Sequence, residues 1–234
     1  MGDPPLRVFV GLDAKEFAAW SVCARSMRAT CTRPLMVEPL DQDALRLAGL
    51  YRRGFDEHDG QRIDWCDGRP FSTEFTFTRF LVPALCQWRG LALFCDSDFL
   101  WRRDVAELFA LADPDCAVQV VQHRQRPREQ RKMRGQIQES YSRKNWSSLV
   151  LWNCAHPANQ ALTPEVVNMR SGRWLHSFGW LRDDQIGALP AEWNWLEGHD
   201  DTDIDPKAVH FTRGTPDMPG YEGAHYADEW RGWL

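Results

Sequence analysis

An apolar run, Leu91-Ala92-Leu93-Phe94-Cys95, breaks abruptly on Asp96-Ser97-Asp98 and turns apolar again at Phe99-Leu100-Trp101. A run of this length bounded by polar residues reads as a buried strand. Carboxylates at the end of such a strand are costly to bury without compensation. Two compensations stand. One is a hard divalent cation, magnesium or manganese, which favours oxygen ligands. Side chains two apart on extended chain face the same way, so Asp96 and Asp98 can reach one ion. The other is structural: the carboxylates cap the next helix or pair with Arg102 or Arg103.

The pieces around this strand alternate. Leu6–Leu12 reads as a first strand, and Lys15–Ala29 has helical spacing through Phe17, Trp20, Val22, Ala24 and Met27. Leu35–Val37 is a second strand cut off by Pro39, and Asp41 opens a second helix. Residues 52–71 read as a long loop, and Ser72 or Thr73 as the cap of a helix carrying Phe75, Arg79, Phe80 and Leu85, interrupted by Pro83. A helix runs from Asp104 through Leu111, followed by strands at Ala117–Val121 and Ser148–Trp152. Residues 157–187 read as mainly helical, broken near Ser171-Gly172, and Val209–Phe211 as a late strand. This order predicts an α/β sheet with helices on its faces. The 234 residues fit a single domain, 1–234, with halves at about 6–121 and 122–234.

Composition excludes several classes. The net charge of −5 argues against a general nucleic-acid binder. Apolar runs are too short for a transmembrane segment, and the first residues lack the basic start and apolar core of a signal peptide, so the expected compartment is cytoplasmic. Seven widely spaced cysteines without a C-x-x-C pair suit buried, reduced thiols better than disulfides or structural zinc. Most of the twelve tryptophans are expected in the core, although Trp180, Trp193 and Trp195 could stack on a sugar. The stretch 122–145 carries eight Lys or Arg residues and reads as a solvated loop or a phosphate-closing one; the acidic loop with Glu192 and Asp200, Asp201, Asp203 and Asp205 reads as solvent-facing.

The order of motifs resembles the family 8 glycosyltransferases, which have a GT-A fold: a Rossmann-like mixed sheet with flanking helices. The resemblance runs from about Arg7 to Pro216. It is carried by Val8-Phe9-Val10-Gly11-Leu12-Asp13, by Thr78-Arg79-Phe80-Leu81-Val82-Pro83 and by Asp96-Ser97-Asp98. It continues through Trp146-Ser147-Ser148 before Leu149–Asn153, then Asp184-Gln185, and finally His210-Phe211-Thr212-Arg213-Gly214-Thr215-Pro216.

The resemblance implies a nucleotide diphosphate sugar as donor, a uridine diphosphate sugar in particular, with transfer of a hexose under retention. It implies Mn2+ or Mg2+ on Asp96, Asp98 and His210. Asp13, Arg79, Asp96, Ser97, Ser147, Ser148, Arg213 and Gly214 would contact the nucleotide sugar, and Asp184 and Gln185 would serve catalysis. The acceptor is unspecified: a glycan, a lipid-linked sugar or a small molecule. Two departures stand out: Trp146-Ser147-Ser148 replaces Asn-Ala-Gly, and no Lys accompanies Pro216, so Arg213 or the 122–145 stretch would supply the charge. Local alternatives remain, with Asp13 as a helix cap and the Asp183–Gln185 group as a helix N-terminus. A haloacid dehalogenase-type phosphatase using Asp96 and Asp98, or an inactive sugar-binding relative, are the competing functions.

Overall fold

The structure, a computed structural model, describes residues 4–123, 143, 145–200 and 202–234. Strand β1 (Leu6–Gly11) leads into α1 (Phe17–Thr30), β2 (Leu35–Leu40) and α2 (Gln42–Leu47). Three short strands follow, β3 (Phe55–His58), β4 (Gln61–Asp64) and β5 (Pro70–Phe71), then α3 (Val82–Leu85). Next come β6 (Leu91–Cys95), β7 (Phe99–Trp101), α4 (Val105–Phe109), β8 (Val118–Val121) and β9 (Leu149–Asn153). The chain continues through α5 (Pro164–Met169), α6 (Gly172–His176), β10 (Ile186–Leu189), β11 (Trp195–Leu196), β12 (Ala208–His210) and α7 (Ala227–Arg231).

Among the described residues the main sheet has the order β10-β8-β9-β6-β1-β2. β9 runs antiparallel to its neighbours β6 and β8, and the remaining pairs are parallel. From β1 the chain moves outward to β2 and later returns to β6 on the other side of β1. Such a reversal leaves a crevice at the carboxyl ends of the two central strands, where α/β sheets bind ligands. Asp13 follows β1 and Asp96 follows β6, so both sit at this crevice.

Strand alternation divides the core. Ala92 and Phe94 face a layer with Phe75, Phe80, Trp152 and Phe178, while Leu93 and Cys95 face Cys23, Met27, Leu108 and Trp193. Both faces of β6 are therefore apolar, as a central strand requires.

Four expectations need correction. Pro39 does not end the second strand: it lies within β2, opposite Val10, and β2 is an edge strand, where a missing N–H is tolerated. Residues 52–71 are not a loop: β3, β4 and β5 form an antiparallel sheet. Its hairpin turns at Asp59-Gly60, both with positive φ, which is the left-handed geometry that Asp-Gly supplies. Pro83 does not break a helix. A 3-10 turn at Thr78–Leu81 precedes it, and Pro83 lies in the first turn of α3, where a missing N–H costs nothing. The 157–187 stretch is less helical than expected: α5 stops at Met169 and α6 restarts on Ser171, whose side chain caps Trp174 N. All seven cysteines are unpaired, though Cys66 is exposed. No helix among the described residues is long and apolar enough to cross a membrane.

Candidate active site

Asp96 N donates to Ser148 O at 2.9 Å, extending the β6–β9 ladder by one bond and fixing where the first carboxylate emerges. β7 begins directly after Asp98 and pairs antiparallel with β12, with Phe99 opposite His210. That register sets His210 beside Asp98, and Phe211 N closes the arrangement by donating to Asp98 O at 2.9 Å. The His210 ring stacks on Phe99 at 4.4 Å between centroids. One ligand atom each from Asp96, Asp98 and His210 lies within 4.8 Å of the others. Arg102 is engaged elsewhere, with Asp205 and Glu229, and Arg103 with Asp205.

The hydrogen bonds around His210 test whether this trio suits a cation. Asn194 Nδ2 donates to Ser148 Oγ at 3.0 Å, which turns Asn194 Oδ1 toward His210 Nδ1 at 2.9 Å. Nδ1 then carries the proton, and Nε2 presents its lone pair. Nε2 lies 3.2 Å from Asp98 Oδ1. A lone pair facing a carboxylate oxygen needs a positive species between them, either a second ring proton or a metal ion. Two carboxylates and one imidazole held by an outer hydrogen bond match the donor set of a manganese or magnesium site. The residues fit the ion.

Arg79 is buried and lies 2.8 Å from Asp96 Oδ1. It also donates to Phe75 O and to Ser147 O, and its guanidinium lies 4.9 Å from the Phe94 ring centroid. It therefore ties the Asp96 carboxylate to the turn before β9. Ser147 Oγ is 2.7 Å from His176 Nδ1, and Ser148 Oγ donates to Asn145 O. Both serines are buried and knit this turn.

Asp13 caps the following turn and is ion-paired. One oxygen accepts from Lys15 N; the other accepts from Arg62 at 3.0 Å and from Glu74 N at 3.1 Å. Glu16, one turn on, accepts from Ser97 Oγ at 3.0 Å. Burial, with Asp98 and Asp13 nearby, pushes the Glu16 carboxyl up to about 7. Arg213 Nη2 donates to the buried Glu197 at 3.2 Å, and Tyr221 packs against Gly214 so closely that a Cβ would overlap its ring.

Asp184 and Gln185 are not brought to the trio. They precede β10, and β10, β8 and β6 all run in one direction, so they lie toward the opposite end of the sheet from Asp96. Asp184 is exposed and held by Arg182 at 3.0 Å, while Gln185 Oε1 accepts from Arg182 N in a local cap. Trp193 and Trp195 are core residues, leaving only Trp180 half-buried, stacked on Trp152. The basic stretch 122–145 lies outside the described residues except for Gln122, His123, Arg143 and Asn145, and Asp201 lies outside them as well.

Sequence alone does not single out Asn194, Glu16 or His123. Glu16 follows Asp13 by three positions, which places both near one face of the first turn, and Asn194 sits between two tryptophans.

No family model matches the chain. It is similar throughout to solved GT-A glycosyltransferases. GlyE of Streptococcus pneumoniae TIGR4 superimposes with a TM-score of 0.61 at 14% identity, over 99% of this chain and 60% of that one. LgtC, described as a galactosyltransferase in complex with donor and acceptor sugar analogues, gives 0.60 at 15%, over 98% and 96%. The bifunctional WbbM gives 0.59 at 12%, and the chain spans 52% of its length. The fold is thus GT-A, an α/β mixed sheet with flanking helices. In sequence the chain is 44% identical over 231 residues to Protein CDI of Arabidopsis thaliana, covering 97% of this chain and 85% of that protein. Mixed-sheet topology, a carboxylate pair at its switch point and this identity lead to one assignment: the chain belongs to the family of Protein CDI.

Proposed function

We propose that this protein is a metal-dependent glycosyltransferase of the family 8 type, moving a hexose from a uridine diphosphate sugar to a hydroxyl acceptor with retention. The observation that carries the reading is the convergence of Asp96, Asp98 and His210 at the crevice of a GT-A sheet. A bound divalent ion would act as a Lewis acid on the diphosphate leaving group.

The chain's own residues have distinct parts in this reading. Asp96, Asp98 and His210 hold the ion. Arg79 fixes the Asp96 carboxylate, and Asn194 fixes the His210 ring. Arg213, three residues beyond His210, supplies positive charge to the diphosphate in place of the absent Lys, with Glu197 orienting its guanidinium. Gly214 lets the backbone pass close to the phosphates. Asp13, paired with Arg62, borders the base, and the buried Ser97, Ser147 and Ser148 support the donor side through the turns they knit. Asp184 and Gln185, at the opposite end of the sheet, take no part in this reading. The proposed compartment is the cytoplasm, supported by seven unpaired thiols. The acceptor is a glycan, lipid-linked sugar or small molecule.

The test is thermal protection and product release with uridine diphosphate sugars, with and without manganese. Metal-dependent protection and formation of free uridine diphosphate are expected. Absence of both, with guanosine diphosphate sugars as well, defeats the reading.

A further inference from the structure

A second imidazole stands at the same end of the sheet and has no assigned part. β8 ends at Val121, with Val120 opposite Val150 on β9. Asp96 N bonds Ser148 O across the other edge of β9. Two residues past β8, His123 therefore emerges level with the Asp-Ser-Asp turn, one strand removed from β6. Its carbonyl accepts from Trp146 Nε1 at 3.2 Å, which anchors it to the turn bearing Ser147 and Ser148. Its side chain is only 9% exposed, and Nδ1 lies 3.9 Å from Asp200 Oδ2. Asp200 in turn accepts from Leu196 N at 2.8 Å, so that carboxylate is fixed. Nε2 is fully buried and has no hydrogen-bond partner among the described residues.

Burial, then the neighbouring His210 and His199, push the His123 imidazolium pKa down to about 3, so the ring is neutral at pH 7. The carboxylate of Asp200 on the Nδ1 side favours the proton there. Nε2 is then a buried acceptor awaiting a donor, a state that costs free energy unless a ligand supplies one. Phosphate oxygens are acceptors and do not match it. Hydroxyl groups do, and the hydroxyl-bearing ligand beside His210 would be the sugar attached to the diphosphate.

We propose that His123 binds the transferred hexose, its Nε2 accepting a hydrogen bond from a sugar hydroxyl of the donor. This rests on the glycosyl-transfer reading above. The test is calorimetric titration, in manganese, of the full chain and of His123→Ala with uridine diphosphate, uridine diphosphate glucose and uridine diphosphate galactose. The better-bound sugar nucleotide should weaken about tenfold in His123→Ala, the loss of one hydrogen bond, while uridine diphosphate stays within twofold. His123→Gln, whose side-chain oxygen is also an acceptor, should restore most of the affinity and serves where the alanine variant does not fold. Unchanged sugar-nucleotide affinity in His123→Ala overturns the proposal and leaves the parent reading intact. So does equal weakening of uridine diphosphate, which marks a structural role, or a wild-type chain that binds the diphosphate but neither sugar nucleotide. Failure of the wild type to bind uridine diphosphate at all defeats the parent reading, and this proposal with it.

Discussion

Asn194 Oδ1 accepts from His210 Nδ1 at 2.9 Å, and the same amide donates to Ser148, so one side chain decides which face of the imidazole is free. Replacing Asn194 by Ala should lower manganese affinity by about 10- to 100-fold, the usual effect of losing the hydrogen bond behind a ligating histidine. Calorimetric titration of manganese into both proteins checks this. Equal affinities would mean that His210 is oriented by Phe99 stacking alone.

Arg79→Ala should be among the most destabilising single changes at the site. It leaves the Asp96 carboxylate without its cation and frees the Ser147 carbonyl, at about 3–5 kcal/mol by analogy with other broken buried pairs. Arg79→Lys should recover only part of this, because an ammonium cannot span Phe75 O, Ser147 O and Asp96 together. Urea denaturation of the three proteins separates these outcomes.

Two shifted groups give stability a pH signature. Glu16 has a folded pKa of about 7 against an ordinary 4.5, so the folded chain keeps a proton that the unfolded chain releases. Its contribution is complete below about 4.5 and is lost as pH rises through about 7. Glu16→Gln should therefore gain stability relative to wild type at pH 8 and show little difference at pH 4.5, measured without metal. His123 runs the other way. Its folded pKa of about 3 against 6.5 means stability is lost as pH falls below 6.5, and His123→Gln should flatten that limb.

Gly198 has a φ of +73°, and a Cβ there would fall 2.0 Å from Arg213 Nη2. Gly198→Ala must displace the guanidinium from Glu197. If Arg213 meets the diphosphate, this variant and Arg213→Ala should both weaken uridine diphosphate by about tenfold or more, the range of a charge-assisted hydrogen bond. Manganese affinity measured without nucleotide should stay near wild type in both.

Much of this arrangement is legible in one dimension. Strands β1, β6, β8 and β9 of the main sheet announce themselves as apolar runs, and Asp96-Ser97-Asp98 marks the end of one of them, whereas β10, four residues with a glycine, does not. β3 and β4 hide because the hairpin is mostly polar on both faces: Asp56, Glu57 and His58 are exposed, and Asp64 is buried only through its pairing with Arg53. β7 and β11 hide because three and two residues carry no measurable alternation. Within the site, Asp96, Asp98 and His210 carry recognisable neighbours in sequence. Asn194, Glu16 and His123 do not, since their partners are chosen by strand register and by the approach of distant loops. Asp184 and Gln185 show the reverse failure, a clear local pattern at the far end of the sheet.

The β7–β12 pairing has a consequence for how the protein comes into being. Two carboxylates come from the middle of the chain, but the nitrogen arrives only when Ala208–His210 zips against Phe99–Trp101. A nascent chain halted before that strand emerges holds two of the three candidate ligands and no means of completing the set. Slippage of this small ribbon by one residue would turn the imidazole to the opposite face. Acquisition of the ion would thus report that synthesis has passed His210 and that β12 has found its register.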